Sequence, residues 1–228
     1  MKLAGNVHHA VAGFAPRWTR ATGAAPSVYD RLAPHYDRLH RRWLRYAGGE
    51  AQAALEAAVR AVVHPGAHLL DAGCGTGAFA RGLFRDRVAL GAITLLDPAP
   101  AMLARCQDIA ARRVNGRLEA LPFADGAFDV VTCAWALETV ADTPRALAEL
   151  SRVLRPSGWL CVAFCARKPA RGVADWALRK SVEWRATGRF LSPDGVAHSL
   201  SNGGAFDVRP LPTQGPACAL MARRRAQA

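Results

Sequence analysis

Long apolar runs are missing from this chain. No window reaches eighteen uninterrupted apolar residues, which removes a membrane-spanning helix from consideration. No Cys-x-x-Cys pair occurs among the six cysteines, at 74, 106, 133, 161, 165 and 218. Cys161 and Cys165 would share one face of a strand, but no His cluster accompanies them, so no metal site is expected. A secretory signal is also missing, and the cysteines read as buried thiols in a reducing compartment rather than as a disulfide frame. Lysine is nearly absent: Lys2, Lys168 and Lys180 stand against a large excess of arginine. Two readings stand for that bias, GC-rich coding and a surface where planar guanidinium groups meet phosphate or carboxylate. Residues 1–29 contain no acid. That composition fits a frayed tail, with an organellar transit peptide as the runner-up.

What is present is a core. The 228 residues are 51% hydrophobic, enough for one globular domain and inconsistent with a disordered or collagen-like chain. The net charge of +12 is unevenly spread, at +5 over residues 1–65, −2 over 66–150 and +9 over 151–228. The middle therefore needs no basic field for what it binds, whereas the flanks suit an acidic partner.

Tyr29, Leu32, Tyr36, Leu39, Trp43 and Tyr46 recur at alternating spacings of three and four, one stripe of a helix that Pro34 should kink. A second helix is expected from Glu50 to Val63, stopped by His64-Pro65-Gly66. Short apolar runs then alternate with helical stretches. Strands are expected at 67–71, 93–97, 114–119, 128–133 and 159–165, and helices at 78–84, 99–112 and 144–154, the last stopped by Pro156-Ser157-Gly158. Ser192-Pro193-Asp194 reads as a helix start, and 208–211 with 217–222 as a final antiparallel pair. The expected fold is α/β: a Rossmann-like, doubly wound seven-stranded sheet, mostly parallel with the last strand antiparallel, under an N-terminal helical cap. The expected organisation is a flexible tail at 1–27 and a single domain at 28–228. Within the domain, 28–65 forms the cap, 66–166 the cofactor-binding core, 167–190 a helical insertion carrying Trp176 and Trp184, and 191–228 a helix and strand pair.

Asp71-Ala72-Gly73-Cys74-Gly75-Thr76-Gly77 is the informative stretch. Glycines between a strand and a helix let the backbone turn sharply and approach a ligand closely. Asp97 ends the next strand, at the crevice of a doubly wound sheet, where a carboxylate can take both ribose hydroxyls. The spacing is G-x-G-x-G rather than the G-x-G-x-x-G of a dinucleotide site, and no Gly-Lys-Ser/Thr follows for a Walker loop.

With these residues the chain resembles the class I S-adenosylmethionine-dependent methyltransferases. The likeness is to the small-molecule branch that includes ubiquinone/menaquinone-biosynthesis and phospholipid N-methyltransferase-like members. It runs from Tyr29 to Phe164 through Leu69–Gly77, Asp97 with Met102-Leu103, Leu121-Pro122-Phe123, Phe128–Val131 and Glu149–Gly158. The resemblance implies S-adenosylmethionine as cofactor and no metal. Gly73, Gly75 and Gly77 would wrap its methionine part, Asp71 would meet its amino group, Asp97 its ribose, and Met102 its adenine. Leu118 would touch the ring, Ala134 would line the sulfonium end, and Tyr36 would close over the ligand. Two positions depart from the pattern: Arg117 stands where an acid is common, with Glu119 as its substitute, and Ala99 replaces a serine.

Methyl transfer from a sulfonium is an in-line displacement, in which the protein chiefly aligns the acceptor and excludes water. A phenol or enol acceptor profits from a general base, for which His35 and His198 are the candidates. Trp43, Trp176 and Trp184 read either as an apolar acceptor pocket or as core. The basic, aromatic stretch from Leu39 to Tyr46 reads either as a helix packed on the sheet or as one lying on an anionic membrane. The expected acceptor is a small or lipophilic metabolite such as a quinone or phospholipid head group. The expected location is cytoplasmic, peripheral to the inner membrane in the second of those readings, with an organellar matrix as runner-up. A nucleic-acid-associated methyltransferase and a non-catalytic S-adenosylmethionine-binding protein are the alternatives. Nucleic acid is disfavoured because Thr132-Cys133-Ala134-Trp135-Ala136 stands where base-amino methyltransferases carry Asn/Asp-Pro-Pro-aromatic.

Overall fold

The computed structural model describes residues 25–167, 173 and 189–226, so the expected tail up to residue 24 and nearly all of the expected insertion, with Trp176 and Trp184, lie outside the described residues. Helix α1 (Ala25–Leu32) is followed by a 3₁₀ turn (Ala33–His35) at Pro34, α2 (Tyr36–Trp43), a π turn (Leu44–Gly48) and α3 (Gly49–Val62). Proline removes a donor and disfavours an α conformation in the residue before it, which accounts for the break at Pro34. The alternating part comprises β1 (His68–Ala72), α4 (Ala78–Arg85), β2 (Ala92–Asp97), α5 (Pro100–Leu103), β3 (Arg112–Asn115), β4 (Phe128–Ala134), α6 (Thr143–Arg152) and β5 (Leu154–Cys165). It closes with α7 (Pro193–Ser201), β6 (Phe206–Pro210) and β7 (Ala217–Arg224). Side-chain caps start the later helices: Asp142 accepts from the Arg145 N–H and Ser192 from the Gly195 N–H, with a proline in each first turn.

The seven strands run β3-β2-β1-β4-β5-β7-β6. All neighbours from β3 to β5 are parallel, and β7 is antiparallel to both β5 and β6. Because β1 is followed in space by β2 on one side and β4 on the other, the strand order reverses between β1 and β4. Their carboxyl ends open the crevice that such a reversal creates. Alternation along β4 and β5 feeds two cores. Val131, Cys133, Leu160, Val162 and Phe164 pack on one face with Leu147 and Leu150 of α6 and Val196 and Leu200 of α7. Val130, Cys161 and Ala163 pack on the other with Leu55 and Val59 of α3 and Phe79 and Leu83 of α4. All six cysteines are buried in this fold.

Three expectations need correction. The helix expected over 99–112 is only α5 and a 3₁₀ turn (Ala104–Cys106), because β3 starts at Arg112 rather than 114 to meet Thr94 of β2. Pro156-Ser157-Gly158 does not separate a helix from a strand. It forms an irregularity inside β5, where Phe128 pairs with Leu154 and Val130 with Trp159, and Ser157 takes φ +63°. The aromatic stripe does not stay inward: Leu39 and Tyr46 are exposed, and His40 occupies the inward position.

Arg152 of α6 braces the crevice wall. Its guanidinium bonds Glu149 and Asp125 and the carbonyls of Leu121 and Phe123, while Glu149 also accepts the Leu121 N–H at 2.7 Å. The loop after β3, carrying Leu118, is thereby tied to α6.

Candidate active site

The glycine loop begins where β1 ends. Gly73, Gly75 and Gly77 adopt φ of +78°, +54° and +80°, conformations that side chains bearing a Cβ rarely take. Gly73 also has no room for one, since its Cβ would stand 2.4 Å from that of Ala136. Asp97 holds this loop from the next strand: Oδ2 accepts the Gly75 N–H and Oδ1 the Ala99 N–H, both at 2.9 Å. Each oxygen retains a second lone pair.

Asp71 and Thr132 are register partners on β1 and β4. The Thr132 hydroxyl approaches Asp71 Oδ1 at 3.1 Å and the Leu70 carbonyl at 3.3 Å, so two acceptors compete for one proton. Asp71 Oδ2 has no hydrogen-bond partner although it is buried. Burial pushes this carboxyl up to about 7 and that of Asp97 up to about 6, the latter opposed by its two backbone donors.

Two cavities flank the loop and share Tyr36, Gly73, Gly75 and Trp135 in their walls. The first is bordered by Tyr29, Asp97, Met102 and Leu118. The second is bordered by Asp71, Asp37, His40, Arg41, Gln52 and Ala134. Trp135 borders both. It adopts φ +59°, its indole N–H donates to Gln52 Oε1 at 2.7 Å, and its ring meets Trp43 edge-on at 5.8 Å. A positive φ at a bulky residue costs energy that surrounding packing must offset, and such strain gathers at functional sites. Gly48 makes room for the pair, since a Cβ there would lie 2.5 Å from Trp43 Nε1. His40 stacks on Tyr36 at 5.6 Å, and burial holds its ring below the ordinary histidine value.

The Methyltransferase domain family matches residues 70–162. The ubiquinone/menaquinone biosynthesis C-methyltransferase of Bordetella avium is 33% identical over 202 residues, covering 79% of this chain and 72% of that protein. The chain belongs to the class I S-adenosylmethionine-dependent methyltransferases. A malonyl-[acyl-carrier protein] O-methyltransferase of Pectobacterium atrosepticum is 38% identical over 149 residues, which span 64% of this chain but only 52% of that protein. In fold, the methyltransferase is similar to a solved Thermotoga maritima protein described as a possible histamine N-methyltransferase. That structure gives a TM-score of 0.65 at 20% identity, over 87% of this chain and 99% of that one.

Among the residues to which the resemblance assigned cofactor contacts, Tyr36, Gly73, Gly75, Asp97, Met102 and Leu118 border the first cavity of the methyltransferase, and Asp71 and Ala134 the second. Gly77 borders neither; a Cβ there would lie 2.4 Å from Ile109 Cδ1, so its smallness serves packing. Arg117 and Glu119 both reach the first cavity, and Glu119 is also held by the Ala141 N–H at 2.9 Å. The two candidate bases are elsewhere. His35 is exposed in the 3₁₀ turn, and His198 is exposed on α7; neither borders these cavities. Trp43 packs against Trp135.

Sequence reasoning missed His40, Gln52, Trp135 and Glu138. His40 follows Tyr36 by four residues, a helical spacing that was readable. Glu138 lies in the 3₁₀ turn (Leu137–Thr139) just past β4. The rule that singled out Asp97, an acid at a strand's carboxyl end beside the crevice, applies to it equally.

Proposed function

We propose that this methyltransferase binds S-adenosylmethionine across the two cavities and transfers its methyl group to a small lipophilic acceptor. The unpartnered Asp71 Oδ2 carries the reading. A buried acceptor without a donor is costly and calls for one from outside the protein, and an ammonium group supplies it. The nucleoside end fits the first cavity, with Asp97 toward the ribose and Met102 and Leu118 beside the adenine. The amino-acid end fits against Gly73, Asp71 and Ala134, with Tyr36 and Trp135 excluding water. When bound, the cofactor supplies an electrophilic methyl on a cationic sulfur, which suits a crevice containing Asp71 and Asp97 and no need of a metal.

Relatives are named as a C-methyltransferase of ubiquinone/menaquinone biosynthesis and a malonyl-[acyl-carrier protein] O-methyltransferase, and the walls here are aromatic: Tyr29, Tyr36 and Trp135. The aromatic walls favour a lipophilic acceptor. The decisive experiment incubates methyl-labelled S-adenosylmethionine and the pure protein with a whole-cell extract, then partitions the products between chloroform and water. Label in chloroform supports the reading; label confined to water overturns a lipophilic acceptor.

One surface favours work at a membrane. Leu39 and Tyr46 are 42% and 68% exposed, and Arg38, Arg42 and Arg45 beside them are exposed as well. Apolar side chains in a basic field suit an anionic lipid surface. No described helix is long and apolar enough to cross a membrane, so contact would be peripheral. Flotation with phosphatidylglycerol vesicles, lost in Leu39→Glu, is the expected result; equal flotation with neutral vesicles removes the electrostatic part.

A further inference from the structure

Glu138 is a second buried carboxylate with an oxygen left over. It is 5% exposed, its Oε1 accepts the Cys165 N–H at 3.3 Å, and its Oε2 has no hydrogen-bond partner. Among the described residues, the groups that face it are neutral: the phenols of Tyr29 and Tyr36 from α1 and α2, and the thiols of Cys133 and Cys165 from β4 and β5. Arg189 comes near but is engaged otherwise. Its backbone N–H donates to the Glu138 carbonyl, and its guanidinium to Val140, Ala141 and Thr143. No described cation neutralises this carboxylate.

Its place in the fold differs from that of Asp71. Asp71 and Asp97 end β1 and β2, on the half of the crevice assigned above to the cofactor. Glu138 follows β4 and leans on the end of β5, the opposite half. Ala136, Thr139 and Val140 around it border the first cavity, and the Glu138 carboxylate lies buried behind that wall. An acceptor approaching the sulfonium end from the β4–β5 side meets this turn.

We propose that Glu138 is the proton acceptor of the reaction, taking the proton of a hydroxyl on a neutral aromatic or enolic methyl acceptor. This rests on the methyltransferase reading and narrows its substrate class. The acceptor's O–H bond breaks, its electron pair stays on oxygen, and the proton passes to Oε2. The oxygen, or the ring carbon it activates, then donates a pair to the methyl group. For carbon methylation the ring C–H proton, released as aromaticity returns, restores the hydroxyl. In either case one proton per methyl leaves through Glu138 to water. Burial pushes this carboxyl up to about 7, a value matched to accepting and releasing a proton near neutrality. A carboxylate acceptor would instead face a like charge here.

The test uses the full chain saturated with S-adenosylhomocysteine, and 1-naphthol and 1-methoxynaphthalene as probes in calorimetry at pH 8. The naphthol should bind the unaltered protein at least about tenfold more tightly than its methyl ether, which cannot donate. Glu138→Gln should erase most of that preference, and Glu138→Asp should keep part of it. With S-adenosylmethionine, Glu138→Gln should slow naphthol methylation by about a hundredfold or more at pH 7, recovering as pH rises and the acceptor ionises unaided. Equal binding of the two probes to the unaltered protein overturns the assignment whether or not a variant folds. Failure of S-adenosylhomocysteine to bind overturns the methyltransferase reading instead.

Discussion

The Thr76 hydroxyl of the glycine loop donates to Asp37 Oδ1 of α2 at 2.5 Å. Arg105, beyond α5, lies 3.6 Å from the other oxygen of the same carboxylate, and on α1 Asp30 Oδ1 accepts the Ala101 N–H at 2.9 Å. Two acids of the cap are thus fastened to the glycine loop and to the α5 segment on the β1–β2 side of the crevice, with Tyr36 over Gly75. Bonds to a charged group in a partly buried setting are strong enough to hold a closed state and weak enough to open. Asp37→Ala should raise the dissociation rate of S-adenosylmethionine about tenfold, measured by stopped-flow fluorescence of the tryptophans. The same variant should expose the 25–48 segment to protease. An unchanged dissociation rate would show that the cap does not gate the cofactor.

Asp97 is asked to hold the loop and to face the ligand. Asp97→Ala leaves the Gly75 and Ala99 N–H groups without their acceptor and removes the carboxylate from the cavity. Affinity for S-adenosylmethionine should fall by at least about tenfold by calorimetry, and stability by about 1–3 kcal/mol in urea denaturation. Unaltered affinity would put the ribose somewhere else.

Most of the sheet and the floor of the site were legible because they are written locally. A strand that ends in an acid and runs into glycines announces both a turn and a ligand, and Asp71, Gly73, Gly75 and Asp97 all stand at the crevice. The cap was read in the wrong register for a geometric reason. Three residues of 3₁₀ helix turn about 120° each instead of 100°, so the turn at Pro34 advances the following helix by about 60°. The break there means that one stripe of constant pitch does not hold across the cap, where His40 sits inward and Leu39 outside. The π turn at Leu44–Gly48 shifts the stripe again and leaves Tyr46 outside. Contacts such as Trp135 with Gln52, 83 residues apart, have no local signature at all.

Two of the loop glycines should fail differently. Gly73→Ala drives a methyl group into Ala136 at the turn after β4 and forces φ +78° on alanine, so both fold and ligand site suffer. Gly77→Ala meets Ile109 and, at 3.0 Å, Cys106 Sγ, away from either cavity. Calorimetry on the folded fraction should find S-adenosylmethionine binding lost in the first variant and kept within about threefold in the second, with both melting lower than the unaltered protein. Equal loss of binding would return Gly77 to the ligand site.

Asp71, Asp97 and Glu138 give the protein a pH dependence opposite in sign to that of paired carboxylates. Burial lifts them to about 7, 6 and 7, above their unfolded values near 4. The folded state then binds more protons than the unfolded chain between those limits. The stability these groups contribute is complete below about pH 4 and is lost as pH rises through about 6 to 7. A cationic ligand reverses the trend, because it favours the ionised forms of Asp71 and Asp97. The free protein should therefore melt lower at pH 8 than at pH 5.5, relative to an Asp71→Asn, Glu138→Gln double variant. The increase in Tm produced by saturating S-adenosylmethionine should be larger at pH 8. A ligand-induced increase that is the same at both pH values would mean that neither aspartate changes its protonation when the cofactor binds.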